Sequence, residues 1–414
     1  MALCLSCLPI SVWSAPSIET TDHWSLEKYS DTVLNQFVIT AVESNPRVLA
    51  RRAALEASRS REFAAGQSLY NPELEADYEN AVDTTWEVGV GQTLDWSGKR
   101  KARQQTAAYE RSAAEAELTL IRQSLAVDLL SALSLHQIEQ RRYKLASERE
   151  QAMSDFAGLA QRRLDAGDLN QVEADLAALA SIEATNQRAT SAANLAEAKQ
   201  AVRNIISLEQ TDQWPSVDFG LPEPLSVKSP LEWVVNLPEV QAARRRVDAA
   251  DAQVELRELE RRPDPTISLR GGREDDSTLV GVNLSIPLYI RNSYKYEASA
   301  ARAERDLAQQ VFDDEVRRAA ARLVSATERY ELSRNTWEGW EKTGRHSLDR
   351  QGALLERLWE AGELSTTDYL VQLRQSLDTR ESALDLQLTL WLAWFEWLAA
   401  SGQVDNWLGL GGKT

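Results

Sequence analysis

Histidine, cysteine and methionine, the residue types behind most metal and nucleophile chemistry, are sparse in this sequence. The 414 residues include three histidines, two cysteines and two methionines. His23, His136 and His346 are far apart, and Cys4 and Cys7 both lie at the start of the chain. No Cys or His pair in the main body of the chain therefore has the spacing of a metal-binding motif, and a methionine-rich copper path is excluded. We expect no metal site, and no disulfide in the main body of the chain.

Two acidic pairs and a glycine motif are the other candidates for catalysis or ligand binding. Both are better explained by a structural role. Asp275-Asp276 and Asp313-Asp314 are interpreted as loop and helix-surface charge, since no nucleophile–base arrangement accompanies them. Gly89-Val90-Gly91 lies inside a strand pattern, so it is not a phosphate-binding loop between a strand and a helix. The sequence predicts no catalytic residue and no cofactor, and we do not expect an enzyme.

The charge balance narrows the partners of the chain. It has 46 Lys and Arg against 63 Asp and Glu, a formal net charge of −17. Nucleic acid needs a basic surface, so it is not an expected partner. An excess of acidic residues is instead typical of a surface exposed to water or of a channel for cations. No run of 18 or more apolar residues occurs, which argues against a membrane-spanning α-helix. The weaker pattern of a β-barrel stays open.

Proline placement predicts very long helices. No proline occurs between Pro72 and Pro215, or after Pro287. Because proline breaks a helix interior, and both stretches are rich in strong helix formers, each is expected to hold long helices. In the first stretch, leucines and isoleucines recur at three- and four-residue steps, which indicates the seam of a bundle or coiled coil.

The same landmarks occur twice in the same order, which indicates an internal repeat. Each copy has a proline helix start, a Val-Gly-Val strand and an Ala-Gly turn between long helices. These landmarks lie at Pro46 and Pro238, at 88–90 and 280–282, and at 162–169 and 357–364. We therefore predict a mainly α fold with a small β part, built from two tandem repeats of helix, strand, strand, long helix and long helix.

The landmarks also set the predicted domain boundaries. Repeat 1 covers 45–207 and repeat 2 covers 231–401. The predicted strands lie at about 73–80, 86–96, 265–272 and 278–289, and the helical hairpins at 98–207 and 291–401. The remaining parts are an N-terminal segment at 16–44, a proline-rich connector at 208–230 and a flexible tail at 402–414. Residues 1–15 are interpreted as an export signal without its basic region, with a plain disordered terminus as the alternative.

The clearest predicted strand has an apolar face with a tryptophan at each end. The alternating residues on that face are Trp86, Val88, Val90, Leu94 and Trp96, interrupted only by Gln92. A tilted strand needs roughly 9–11 residues to cross a bilayer, and aromatic residues mark the two interfaces of such barrels. The pattern therefore predicts a lipid-facing girdle, with a soluble sheet packed on helices as the alternative.

Four strands in one chain leave two sheet edges that need partners. In lipid the only solution is closure, because no water is present to satisfy the edge groups. Four strands cannot close a barrel around a pore, so the membrane interpretation requires an oligomer. A homotrimer would supply a 12-stranded barrel, three times the four strands predicted here, and the helical hairpins would continue it as an α-helical barrel.

The motifs that join these elements resemble the TolC-type outer-membrane efflux family from Asn45 to about Gly402. They are the Asn-Pro helix start, the 94–100 segment, the two Ala-Gly turns and the 285–288 segment. Within the family, the segments at 98–100, 262–269, 287–288 and 291–292 resemble the CzcC-like branch, which serves heavy-metal resistance-nodulation-division efflux. The resemblance implies a homotrimeric outer-membrane duct with a periplasmic helical tunnel. It also implies docking to a periplasmic adaptor (membrane fusion) protein and a proton-driven inner-membrane pump.

Three functions stay open at this point. The first is passive export of heavy-metal cations through the duct. The second is the same duct exporting drugs or proteins, as in type I secretion. The third, from another class, is a soluble coiled-coil scaffold with no pore.

By the same resemblance, the two Ala-Gly turns lie at the periplasmic tip, where the adaptor would bind. The candidate contact residues are Arg163, Ala166, Gly167, Asp168 and Leu169 in the first turn, and Ala361, Gly362, Glu363 and Leu364 in the second. Leu169 and Leu364 are expected to start the returning helices.

The resemblance also suggests carboxylates at the tunnel aperture. The family's aperture aspartate corresponds to Asp368, and the repeat places Glu173 at the equivalent position. Three copies of each would form carboxylate rings that attract cations. The alternative is a solvated helix face. Val371 stands where the family often has a second acidic residue, which weakens the case for a two-ring gate.

Overall fold

The computed structural model describes residues 32–80, 84–206, 213–217, 229–360 and 363–409. The predicted export signal, both cysteines, His23 and most of the connector lie outside the described residues. The described elements follow the predicted repeat. The prediction of a flexible tail at 402–414 was wrong for its first part, because a short helix covers 404–408 and its Val404, Trp407 and Leu408 side chains are buried in the core.

Each repeat places two strands between a short helical part and a long helical hairpin. The first repeat comprises α1 (Thr32–Ser44), α2 (Pro46–Ala65), β1 (Glu73–Asn80), β2 (Thr84–Thr93), α3 (Lys99–Asp165) and α4 (Gln171–Arg203). The second comprises α5 (Pro230–Val234), α6 (Pro238–Glu260), β3 (Thr266–Glu274), β4 (Ser277–Ser285), α7 (Lys295–Gly339), α8 (Arg345–Glu360), α9 (Thr366–Ser401) and α10 (Val404–Leu408). The predicted fold class, mainly helical with a small sheet in two tandem repeats, is confirmed.

Helix α3 is the longest element, with 67 residues. At about 1.5 Å per residue it is roughly 100 Å long. It contains an 18-residue window that is apolar enough to cross a membrane by composition alone, which the expectation of no spanning helix did not anticipate. Half of that window is buried against the rest of the chain, as in the core helix of a helical bundle.

The second hairpin differs from the expectation of uninterrupted helices. A five-residue π-helical segment, Trp340–Gly344, separates α7 from α8. The repeat offset of 195 residues places the equivalent position inside α3, which is continuous there. The π segment is therefore a feature of the second repeat alone. Single π-helical turns inside α-helices are rare and are frequently found at functional sites.

The four strands form one antiparallel sheet in the order β1-β2-β3-β4. Three strand ends differ from the prediction. Strand β2 ends at Thr93 rather than at 96, and β4 ends at Ser285 rather than at 289, because Pro287 cannot donate to a strand ladder. Strand β3 continues to Glu274, two residues beyond its predicted end.

The largest core lies where the ends of the hairpins meet the short helices. Trp394 and Trp397 stack with ring centroids 5.0 Å apart, and Tyr330 lies 5.0 Å from Trp394. All three side chains are fully buried. A second, smaller core joins α3, α4 and α9 further along the hairpins, around Met153 and Leu377. The helices are therefore held together at two levels.

Candidate functional site: the sheet faces, the junction and the hairpin turns

One face of the sheet is apolar and exposed across all four strands. The register aligns Val90 with Leu74 on β1 and with Leu269 on β3, and Leu269 in turn with Val282 on β4. Between 53 % and 78 % of each of these side chains is exposed. An apolar surface of this extent indicates contact with lipid or with another protein.

The predicted girdle residues lie only partly on strand β2. Trp86, Val88 and Val90 alternate on its apolar face and are exposed. Leu94 and Trp96 are also exposed, but they lie beyond the end of the strand, so placing them on β2 was wrong. The backbone N–H of Leu94 donates to the carbonyl of Pro265, and the indole N–H of Trp96 donates to the carbonyl of Pro263.

Asp95 is the physical reason for the early end of the strand. Its two carboxylate oxygens accept hydrogen bonds from the backbone N–H groups of Lys99 and Arg100, at 2.9 and 2.8 Å. These are the first donors of α3, which lack partners inside the helix. Gly98, with φ of 81°, turns the chain into the helix.

The opposite face of the sheet is acidic. Its carboxylates are Glu73, Glu75, Asp77, Glu79, Glu87 and Glu274. Within the four strands, Arg270 is the one basic residue on this face. Its guanidinium lies 2.9 Å from Glu75, 3.8 Å from Asp77 and 3.9 Å from Glu87. Sequence reasoning missed this group, although the alternating acidic residues of β1 were visible.

A buried polar cluster joins the sheet to the helices. The Nζ of Lys99 lies 2.8 Å from the carboxylate of Asp264 and also donates to the carbonyl of Arg262 at 2.7 Å. The hydroxyl of Tyr70 donates to the same carboxylate at 2.7 Å. Burial and this hydrogen bond raise the pKa of Tyr70, so the phenol stays a donor. Two segments that carried the closer family likeness, 98–100 and 262–269, therefore meet in space.

The first hairpin turn has the geometry that its glycine predicted. Gly167 has φ of 81°, and its N–H donates to the carbonyl of Leu164 at 2.9 Å. The N–H of Asp168 donates to the carbonyl of Arg163 at 2.9 Å, which completes the cap of α3. Ala166, Gly167 and Asp168 are exposed.

The returning helices start later than expected. Leu169 and Leu364 precede the caps instead of opening the helices, which begin at Gln171 and Thr366. The reason is that Asn170 and Ser365 act as N-caps. In the second turn, the N–H of Glu363 donates to the carbonyl of Leu358 at 2.9 Å. Ala361 and Gly362 lie outside the described residues.

The two aperture candidates occupy equivalent places in these caps. Glu173 accepts from the side-chain amide of Asn170 at 2.8 Å, and Asp368 accepts from the hydroxyl of Ser365 at 2.7 Å. The backbone N–H of Glu173 donates to the side chain of Asn170, and the backbone N–H of Asp368 donates to the side chain of Ser365. Both carboxylates are thus the third residue of a capped helix, which supports the repeat alignment. Their role at an aperture stays a prediction.

Across the described residues, no group of three or more His, Cys, Asp or Glu is placed to hold a metal ion. His136 is buried beside Trp214, with ring centroids 4.6 Å apart, whereas His346 is exposed on α8. The structure does not bring these two histidines into one site.

Comparisons with known proteins agree with this architecture. Residues 232–402 match the family model of the outer membrane efflux protein. The cobalt-zinc-cadmium resistance protein CzcC of Cupriavidus metallidurans is 25 % identical over 346 residues, covering 80 % of this chain and 78 % of CzcC. The CmeC outer membrane channel of Campylobacter jejuni has a TM-score of 0.77 at 13 % identity, covering 96 % of this chain and 93 % of CmeC. The CusC structure has a TM-score of 0.75 at 14 % identity, covering 93 % and 95 %.

The exposed apolar sheet face and the long hairpins have the fold of the CmeC and CusC structures. Residues 232–402, most of the second repeat, match the outer membrane efflux protein family, in agreement with the resemblance seen in the sequence. This match supports the expected outer-membrane location with a large periplasmic helical portion, and the expectation of a channel without enzyme activity. It also argues against the soluble scaffold.

Proposed function

We propose that three copies of this chain form a closed 12-stranded barrel that continues into a helical tunnel. The observation that carries the proposal is the sheet itself. Strands β1 and β4 are its two edges, and the face between them is apolar and exposed. In lipid, unpaired edge groups are costly, and pairing β1 of one copy with β4 of the next would satisfy them.

The helical part also has an uncovered surface that supports an oligomer. Along α4, four apolar side chains lie three or four residues apart and are 44 % to 69 % exposed: Val172, Leu176, Leu179 and Ile182. That spacing places them on one stripe of the helix. Packing of this stripe against a neighbouring copy would remove it from water.

We propose heavy-metal cations as the cargo and a tripartite assembly as the context. The support is the likeness to CzcC, whose name records cobalt, zinc and cadmium resistance. The duct would be passive. The exposed tip formed by Ala166, Gly167 and Asp168, with Arg163 and Leu169 beside it, would contact the periplasmic adaptor, and the adaptor would link the duct to a proton-driven pump.

Fractionation tests the channel and its assembly. The mature protein should be found in the outer-membrane fraction and should run as a trimer in mild detergent. Recovery as a soluble periplasmic protein or as a monomer would overturn the duct.

Growth assays test the cargo. A deletion strain should lose tolerance to zinc, cobalt and cadmium, and the wild-type chain should restore it. Dyes, detergents and a secreted protein substrate serve as the comparison. Unchanged metal tolerance together with lost dye tolerance or lost secretion would show that the duct exports drugs or proteins and not metal cations.

A further inference from the structure

We propose that Arg270 sets the charge selectivity of the barrel, as the one basic residue that the four described strands place on an acidic lumen face. The inference rests on the proposed trimeric duct, in which the apolar sheet face contacts lipid and the acidic face lines the pore. Arg270 lies in the strands of the barrel, whereas the predicted aperture carboxylates lie at the turns of the helical hairpins.

The position of Arg270 is defined by two glycines on the neighbouring strand. Gly89 is the direct cross-strand partner of Arg270, and a Cβ atom there would lie 2.8 Å from the Cγ of Arg270. A Cβ atom at Gly91 would lie 3.0 Å from a carboxylate oxygen of Glu75. Both distances are shorter than ordinary contacts. The glycines therefore leave the space in which the arginine stem crosses β2 toward β1.

The guanidinium reaches carboxylates from two other strands. Glu75 and Asp77 come from β1, and Glu87 comes from β2. About a third of the Arg270 side chain is exposed (34 %), and Asp77 is 66 % exposed, so the group borders the space in front of the sheet. Arg270 thus acts as a tethered counter-ion that occupies part of the acidic surface.

The charge balance gives the direction of the effect. Six carboxylates share this face with one guanidinium, so the potential in front of it is negative and favours cations over anions. Removing Arg270 would make the lumen more negative and strengthen the preference for cations. Removing Glu75 would weaken that preference and leave the arginine with fewer partners.

Arg273 provides a matched control on the same strand. It lies three residues from Arg270, aligns with Trp86 and Thr278, and therefore belongs to the apolar face. Replacing either arginine by glutamine removes one positive charge from β3. The two variants differ in the face from which the charge is removed.

Reversal potentials of the purified full-length trimer in planar bilayers, under a potassium chloride gradient, test the proposal. The wild type should prefer potassium. Arg270→Gln should raise the ratio of potassium to chloride permeability roughly fivefold, because a unit charge at roughly 8 Å in water changes the concentration of each ion about twofold in opposite directions. Glu75→Gln should lower it, and Arg273→Gln should leave it unchanged.

Equal ratios in Arg270→Gln and wild type, or equal shifts in both arginine variants, would overturn the role of Arg270 while the duct stands. A wild type that forms no conducting trimer would overturn the duct and the selectivity proposal together.

Discussion

The ammonium group of Lys99 and the carboxylate of Asp264 are 2.8 Å apart, and their side chains are only 6 % and 4 % exposed. Lys99 is the first residue of α3 in the first repeat, and Asp264 precedes β3 in the second. The pair therefore connects the helical part of one repeat to the strands of the other. The hydroxyl of Tyr70 donates to the same carboxylate, so the segment before β1 is also connected to this pair.

Breaking this pair from one side should be costly. Lys99→Met would leave Asp264 buried without its cation, and the loss of one partner of a buried pair costs roughly 3–5 kcal/mol. We expect a clear fall in the thermal unfolding midpoint of the purified protein, measured by circular dichroism. Lys99→Met combined with Asp264→Leu should recover part of the loss, because no unpaired charge then stays buried.

The repeat supplies the control for that experiment. Lys295 is the first residue of α7, the position that corresponds to Lys99, and it is exposed. Lys295→Met should leave the unfolding midpoint nearly unchanged. An equal fall in both lysine variants would show that the buried pair contributes nothing beyond the helix start.

The two faces of the sheet can be tested by neighbouring residues on one strand. Val282 lies on the apolar face and is 72 % exposed, and Asn283 lies on the opposite face. Arginine at the lipid-facing midpoint of a barrel costs roughly 2–4 kcal/mol, whereas a lumen position tolerates it. Val282→Arg should therefore reduce the amount of assembled trimer in outer membranes, while Asn283→Arg should assemble normally. Assembly lost equally in both variants would contradict the proposed orientation of the sheet.

The faces of the strands were predictable because their signal is local. Side chains alternate along any strand, so Trp86, Val88 and Val90 share a face whatever the partner strand is. The glycine turn at Gly167 was predictable for the same reason, since the positive φ at the end of a helix strongly favours glycine. The strand end was missed because Asp95 fits an alternating pattern equally well, and its capping role depends on the helix that follows.

Contacts between distant segments could not be read from the sequence. Lys99 and Asp264 are 165 residues apart, and Arg270 meets carboxylates that lie on two other strands. The sequence motifs contain these residues, but only the folded structure shows which of them are in contact. The π segment was also missed, because its residues are ordinary for a helix.

The π segment offers a comparison between two glycines. A Cβ atom at Gly344 would lie 2.2 Å from the ring of Trp340, whereas nothing lies within 4 Å of one at Gly339. Gly344→Ala should lower stability because the indole ring must move. Gly339→Ala should raise it by about 0.5–1 kcal/mol, the usual gain of alanine over glycine in a helix. Thermal unfolding of both variants measures the difference, and a stabilising Gly344→Ala would show that the indole does not hold the segment.

Asp405 gives the protein a pH dependence of known sign. Burial raises its pKa, against the opposing effects of the hydrogen bond from Gln123 and the charge of Arg122. The folded state therefore binds the proton more tightly than the unfolded state, and this contribution to stability is lost as pH rises above the ordinary aspartate range. Asp405→Asn should flatten the dependence of the unfolding midpoint on pH in that range. Identical pH profiles for variant and wild type would show that the carboxylate is not perturbed.

The aperture prediction for Asp368 must be separated from its role in the helix cap. Ser365→Ala removes the cap and keeps the charge, and should cost about 1 kcal/mol of helix stability. Asp368→Asn keeps an acceptor for the Ser365 hydroxyl and removes the charge. If three copies of Asp368 form a ring in the closed tip, Asp368→Asn should change single-channel conductance, and Ser365→Ala should leave it near the wild-type value. If conductance instead follows the loss of the cap, changing in Ser365→Ala and staying constant in Asp368→Asn, the carboxylate serves the helix start and the ring does not exist.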